Sequence, residues 1–404
     1  MGLDSVAMDI MPLGSIGTFI RGNGIQKKDF TDSGVGCIHY GQIHTFYGTF
    51  ALETKTFVSA EHAKKLRKAK KGDLVIATTS EDVDGVCKAV AWLGNEDIAI
   101  SSDAYIFRHN QNPKYISYLF QTRMFHEHKK RYATGTKVIR VSGANIAKFQ
   151  APIPPLPVQE EIVSILDKFT KLEAELEAEL EARKKQYDYY RNQLLSPIEI
   201  GDKWYINEKE IEWRTLGDVG KICMCKRVMK NQTNIEGGIP FYKIGTFGKD
   251  ADAFISEDLY LDYKSRYSFP NRGEVLISAA GTIGRAVIYN GEPAYFQDSN
   301  IVWIQNDESI VKNKYLFYYY QIVNWKTDGG TISRLYNDNL AKTKIPIPPL
   351  EEQERIVAIL DKFDALVNDI SIGLPAELTF RRQQYEYYLN KLLTFKNKDN
   401  GKGV

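Results

Sequence analysis

An α/β (α+β) protein made of two related globular domains, each followed by a long helix, is the architecture this sequence predicts. Three observations lead there. Residues 151–169, APIPPLPVQEEIVSILDKF, return as residues 345–363, IPIPPLEEQERIVAILDKF, with 14 of 19 positions identical and no gap. Residues 184–195, KKQYDYYRNQLL, return as residues 382–393, RQQYEYYLNKLL, with 7 of 12 identical. The copies lie 194 and 198 residues apart in a chain of 404. A solenoid repeats every 20–50 residues or so, and this period is far longer. The chain therefore holds one module used twice, which divides it into residues 1–150, 151–196, 197–344 and 345–404.

The first globular segment, residues 1–150, opens with Leu13-Gly14 and a glycine-rich polar stretch. Strands are expected at residues 36–43 and at residues 73–79, where GDLVIATT is a short apolar run behind a turn, and a helix at residues 114–130. The second segment repeats this order. GGIPFYKIGTF stands opposite GCIHYGQIHTF, GEVLISAA opposite GDLVIATT, and KYLFYYYQ opposite KYISYLFQ. GTKVIRVSGANIAK closes the first segment and GGTISRLYNDNLAK the second. Side chains differ at most other positions, so duplication kept the scaffold and changed what it presents.

Each segment runs into a helix. Pro154-Pro155 is stiff and extended, and Glu160 and Glu161 suit the positive end of a helix dipole, placing a helix over residues 159–195. Apolar residues at Ile162, Ile165, Phe169, Leu172 and Leu176 follow the 3-4 spacing of a coiled-coil seam. The seam steps by four again to Leu180, a stutter that coincides with the tandem EAEL-EAEL of residues 173–180, then resumes at Tyr187, Tyr190 and Leu194. The second copy offers Ile356, Ile359, Phe363, Leu366 and Ile370, then Leu378, Tyr385, Tyr388 and Leu392. Gly373 and Pro375 interrupt it, and an interior proline costs roughly 3 kcal/mol, so a kink or break is expected near residues 373–375. Two such seams in one chain most simply pack on each other.

Composition is that of a globular protein, with 43% hydrophobic and 26% charged residues. No run reaches the roughly 20 apolar residues a membrane span needs. The start, MGLDSVAMDIMPLG, lacks the basic and apolar regions of a signal peptide. Four cysteines are few for this length and suit a reducing cytoplasm. The net charge of +2 is unevenly spread: residues 1–158 carry 20 Lys and Arg against 14 Asp and Glu. That permits nucleic-acid binding by the globular parts, although a stand-alone DNA binder is usually more basic.

Several near-motifs fail on spacing. Asn112-Pro-Lys-Tyr115 is similar to the Asn-Pro-Pro-Tyr loop of amino-methylating DNA methyltransferases, but Lys114 replaces a proline and no glycine-rich turn accompanies it. GDVGKI (residues 217–222) lacks the upstream glycine of a phosphate loop, and Ile222 replaces its Ser/Thr. His126 and His128 are two apart, not the four that would put both on one helix face. Cys223 and Cys225 form a lone Cys-x-Cys, better read as packing residues than as metal ligands. No catalytic constellation and no metal site emerges.

What remains are polar loops with residues suited to base edges: Arg or Lys to guanine, Asn or Gln to adenine. The candidates are Lys137 and Arg140 in GTKVIR, Arg334, Tyr336 and Asn337 in the matching segment, and Arg285 in GTIGRA.

The twin PIPPL…QE·IV·ILDKF blocks, the twin Gln-Tyr-x-Tyr-Tyr…Leu-Leu blocks and the paired closing segments resemble the specificity (S) subunit of type I restriction–modification systems over essentially the whole chain. The resemblance implies that each globular segment is a target-recognition domain and each helix a conserved spacer region. The two spacers would pair as an antiparallel coiled coil with internal pseudo-twofold symmetry. It implies a non-catalytic DNA-binding subunit that recognises an asymmetric bipartite target in double-stranded DNA. Its partners would be two methyltransferase (modification) subunits and motor–nuclease (restriction) subunits, with no membrane involved. S-adenosylmethionine, ATP and Mg²⁺ would sit on those partners, leaving this chain without a cofactor. EAEL resembles the tetrapeptide repeats that adjust spacer length in some members. A coiled-coil adaptor or inactive relic without DNA recognition, or a DNA-modifying enzyme in its own right, are the alternatives.

Overall fold

The structure, a computed structural model, describes residues 9–327 and 334–394. Residues 1–8 of the chain start, read above as lacking a signal peptide, and residues 328–333, which include the first five residues of the closing segment GGTISRLYNDNLAK, lie outside the described residues, as do residues 395–404. Two compact units form: residues 1–177 with 377–404, and residues 178–376.

In the first unit a five-stranded sheet runs in the order Gly17–Arg21, Ala104–His109, Leu74–Ala77, Ala89–Trp92, Phe50–Ala51. Leu74–Ala77 and Ala89–Trp92 are buried at every residue, which explains why their sequences are unbroken apolar runs rather than alternating ones. A second five-stranded sheet holds Val35–Ile38 parallel to Ile98–Ile100. Asp9–Pro12 pairs antiparallel with Gln150–Ile153, tying the start of the domain to the strand that leads into the long helix.

The second unit repeats this frame. Lys221–Met224, Ile301–Gln305, Val275–Ser278 and Ala286–Ile288 form a sheet in that order. Ile239–Tyr242 lies parallel to Tyr295–Phe296, and Glu212–Thr215 pairs antiparallel with Lys344–Ile347. A three-stranded meander over Ile198–Ile200, Lys203–Ile206 and Lys209–Glu210 has no counterpart among the described residues of the first unit.

Two expected elements differ. The strand at residues 36–43 ends at Ile38, because His39 caps a short helix, Tyr40–Thr45, by accepting from the Gly41 N–H at 3.2 Å. The helix expected over residues 114–130 is two: α1 (Pro113–Leu119) and α2 (Arg123–Tyr132). Thr122 divides them. Its hydroxyl donates to the Leu119 carbonyl at 2.7 Å and accepts from the Phe125 N–H, ending one helix and capping the next.

Helix α3 (Leu156–Leu195) is unbroken for 40 residues, about 60 Å. It starts one turn earlier than expected, since Pro157 falls in the first turn, where a missing N–H costs nothing. After α4 (Asn313–Tyr320), the second spacer is split into α5 (Leu350–Asn368) and α6 (Leu374–Leu393). The split comes from Asp369 and Gly373. Asp369 accepts from the Ser371 N–H at 2.7 Å, and a Cβ on Gly373 would meet the Asp369 carbonyl at 2.7 Å. Pro375 then sits in the first turn of α6, where it starts a helix instead of kinking one. Ile370 consequently leaves the seam: it lies beyond α5 and is 84% exposed.

Within the first unit, α6 runs antiparallel to the first half of α3. Phe169 stacks on Tyr388 at 5.3 Å, and one turn on Arg382 pairs with Glu173 at 2.6 Å and with Glu177. Within the second unit, the later half of α3 runs antiparallel to α5. Tyr190 stacks on Phe363 at 5.5 Å, while Asn207 donates to both the Leu194 carbonyl and the Glu352 carboxylate. The helices bury more than the seam. Leu166, Leu195, Leu360, Val367, Leu389 and Leu393 lie in the domain cores, giving the broad stripe of helices that pack on a domain and a partner at once.

The repeated motif docks each domain on its helix. Gln159 is fully buried; its amide oxygen accepts from the Asn112 N–H at 2.9 Å, and its amide nitrogen donates to the Pro154 carbonyl at 2.7 Å. Gln353 does the same with the Lys312 N–H and the Pro348 carbonyl, both at 2.8 Å. Asp167 receives Lys114 and the Tyr118 hydroxyl, each at 2.7 Å, and Asp361 receives Lys314 and the Tyr318 hydroxyl, each at 2.6 Å.

Candidate nucleic-acid interface

With the frame fixed, a surface that differs between the units is the hairpin joining two neighbouring strands of the main sheet. In the first unit it spans residues 78–88, between Leu74–Ala77 and Ala89–Trp92. Its base is closed by Ala77 N–H to the Lys88 carbonyl at 2.9 Å, with Cys87 in the left-handed region at φ 65°. Ile139–Arg140 adds a short strand to Thr79–Ser80, and the Val141 N–H reaches the Thr78 carbonyl at 3.3 Å. Arg140 is exposed at that edge and forms an isolated bridge with Thr134. Lys137 is exposed on the turn between them. The structure thus brings these two candidates together on one small loop.

In the second unit the hairpin is four residues shorter, spanning residues 279–285 between Val275–Ser278 and Ala286–Ile288. The Ser278 N–H meets the Arg285 carbonyl at 2.9 Å, and the Leu335 N–H meets the Ala279 carbonyl at 2.9 Å. Arg334 bridges Ala280 and donates to the Asn300 side chain at 2.8 Å. The Arg285 guanidinium donates to the Phe247 carbonyl at 2.8 Å, so part of its hydrogen-bonding capacity holds the neighbouring loop. Tyr336 is 50% exposed at the N-cap of a short helix, Asn337–Ala341, with Asn337 exposed beside it. Arg285, Arg334, Tyr336 and Asn337 therefore border one hairpin and the segment paired with it.

Lys88 was missed from sequence. It occupies the position of Arg285, immediately before the second central strand, and the different hairpin lengths hide the match. It lines a cleft of about 630 Å³ with Tyr40, His44, Thr79 and Val138. Its ammonium donates to the His44 carbonyl at 3.4 Å, and burial lowers its pKa. The His44 ring in turn bonds the Thr79 carbonyl at 2.9 Å.

The rejected motifs have structural roles. Asn112 caps α1, Lys114 pairs with Asp167, and the buried Tyr115 donates to the Pro152 carbonyl at 2.8 Å. His128 bonds the Asn145 carbonyl among Phe125, Tyr132 and Phe149. Cys223 and Cys225 are buried, and burial pushes the Cys225 thiol up to about 12. Among the described residues, no group of three or more His, Cys, Asp or Glu is placed to hold a metal ion. None of the described helices is long and apolar enough to cross a membrane.

The family model for the type I restriction modification DNA specificity domain matches residues 6–182 and again residues 208–379. The chain belongs to this family. Membership makes it the specificity component of a type I restriction–modification system, a non-catalytic role, with methyl transfer and cleavage falling to other subunits. Among relatives, a putative type I restriction enzyme specificity subunit of Haemophilus influenzae is 53% identical over 273 residues, covering 65% of this chain and 68% of that one. The EcoR124I/EcoR124II specificity subunit of Escherichia coli is 35% identical over 275 residues, covering 62% and 65%. The crystal structure of an S subunit from M. genitalium shares the fold with a TM-score of 0.55 at 14% identity, covering 98% of this specificity subunit and 99% of its own chain.

Proposed function

We propose that each unit reads one half of an asymmetric, bipartite sequence in double-stranded DNA, and that the chain directs two methyltransferase subunits to it. Motor–nuclease subunits would join the same complex for restriction. S-adenosylmethionine, ATP and Mg²⁺ act on those partners, and the complex works in the cytoplasm, a reducing compartment that suits four free, buried cysteines.

One observation carries this reading: an identical docking frame presents two different hairpins. The first hairpin is long and carries Glu81, Asp82 and Asp84; the second is shorter and carries no carboxylate. Two related frames with unlike reading edges suit a target whose halves differ. Major-groove faces on one side of a duplex recur about every 34 Å, so two domains joined by helices can address two half-sites across an unread spacer. Phosphate contacts from the methyltransferases account for a specificity chain that is only mildly basic.

The test is adenine-methylation mapping in cells that express this chain with its methyltransferase. A bipartite motif that disappears when the chain is omitted is the expected result. An active methyltransferase and a soluble complex without any such motif would overturn the proposal in favour of an adaptor or relic.

A further inference from the structure

We infer that Lys88 and Arg140 in the first unit, and Arg285 and Arg334 in the second, grip the DNA phosphates, and that half-site identity resides in the hairpin each pair encloses. This rests on the reading that the units bind duplex DNA. Backbone hydrogen bonds define the equivalence. Lys88 and Arg285 both accept, through their carbonyls, the N–H of the residue ending the first central strand, at 2.9 Å in each case. Arg140 and Arg334 both precede the residue whose N–H bonds the first hairpin position, Val141 to Thr78 and Leu335 to Ala279.

Between these fixed points almost everything changes: length, charge and side-chain character. The positive charge at the two ends does not. A group whose chemistry is the same in two domains that read different sequences cannot carry the difference between them. Phosphate contacts position a protein on DNA, while base contacts specify.

The partners of these cations support the assignment. Several basic side chains of the two units are matched with carboxylates, as in Arg108–Asp73, Lys114–Asp167, Arg227–Asp298 and Arg382–Glu173. Among the described residues, none of the four framing cations has a carboxylate within ion-pair distance. Lys88 and Arg285 rest on main-chain carbonyls, and Arg334 rests on a neutral amide. Lys88 shares its hairpin with three acidic residues and still pairs with none of them. Cationic charge with no carboxylate to neutralise it at both ends of a reading loop suits phosphate recognition.

The experiment uses the assembled methyltransferase complex with Arg140→Gln, Arg334→Gln and Lys88→Gln, each beside its charge-keeping partner Arg140→Lys, Arg334→Lys or Lys88→Arg. Each glutamine variant should weaken cognate and unrelated duplex alike by about three- to tenfold. It should also lower the slope of log affinity against log salt by about one, with the methylated motif unchanged. The charge-keeping variants should bind within about twofold of the parent. Loss of a defined base position in the motif, an unchanged salt slope, or an equal defect in the charge-keeping variants would overturn the inference. A parent complex that methylates no bipartite motif would instead defeat the functional reading beneath it.

Discussion

The two units agree in their docking and disagree at their edges. On the first, Lys114 and Tyr118 of α1 converge on Asp167; on the second, Lys314 and Tyr318 of α4 converge on Asp361 with the same geometry. A few residues further, agreement stops. Gln121 accepts from the Tyr385 hydroxyl at 2.7 Å, whereas Gln321, its counterpart, accepts from Arg191 at 2.8 Å. Arg191 stands where the first unit has the buried Leu389, and its guanidinium lies 5.1 Å from the centre of the Tyr187 ring. The lesson is one of depth. The main contacts that fix where a domain sits on its helix are kept, and those at the margin are rebuilt with other chemistry.

The strongest way to break that comparison is at the buried glutamines. Gln159→Leu and Gln353→Leu each remove an acceptor from a backbone N–H and a donor from a proline carbonyl in dry surroundings. Each unsatisfied group costs about 1–3 kcal/mol, so each variant should lose about 3 kcal/mol. Thermal unfolding with limited proteolysis of each unit would measure it. Equal losses support equivalent latches; a harmless Gln353→Leu would show that only one of the two holds its domain.

A smaller effect should separate the units. Lys114 and Asp167 have 20% and 32% of their side chains exposed, against 55% and 38% for Lys314 and Asp361. Screening by water grows with exposure, so Asp167→Asn should cost about 1–2 kcal/mol and Asp361→Asn about 1 kcal/mol or less. Equal losses would mean that the tyrosine hydroxyl, shared by both sites, dominates over the ion pair.

These residues also explain what was legible in the sequence. The repeated Pro-Pro, Gln, Asp and Lys-Tyr positions could be found because each has a partner that tolerates little else, so the two copies still look alike. The packing of the two helices on each other followed from the seam for the same reason, while their antiparallel sense came from the family resemblance. Ile370 was misplaced because helical spacing continues on paper past Asp369 and Gly373, while the chain turns there to satisfy a carboxylate and a crowded carbonyl. The second apolar stripe, Leu166 and Leu360 among it, was passed over because a coiled-coil reading asks only for the seam. Lys88 was hidden by arithmetic: hairpins of unequal length put equivalent residues out of step, and only strand pairing restores the register.

The smallest energetic effect concerns the tandem EAEL, and it sharpens the comparison by changing what lies between the units' frames. Arg382 pairs with Glu173 and Glu177, the first residues of the two copies, and the next residues in the series are Glu181-Ala182. Deleting residues 177–180 therefore brings Glu181 into the place of Glu177. The exposed clamp on Arg382 survives, and even its complete loss through Arg382→Ala should cost no more than about 1 kcal/mol. Meanwhile α3 shortens by about 6 Å and its later half turns by roughly 40° about the axis. The deletion should thus leave the melting of the first unit nearly unchanged and both half-sites intact, while methylation mapping shows a shorter spacer between them. An unchanged spacer would mean that helix length does not set the distance. Altered half-sites would mean that the frame and the reading edge are not the independent parts that the duplicated contacts indicate.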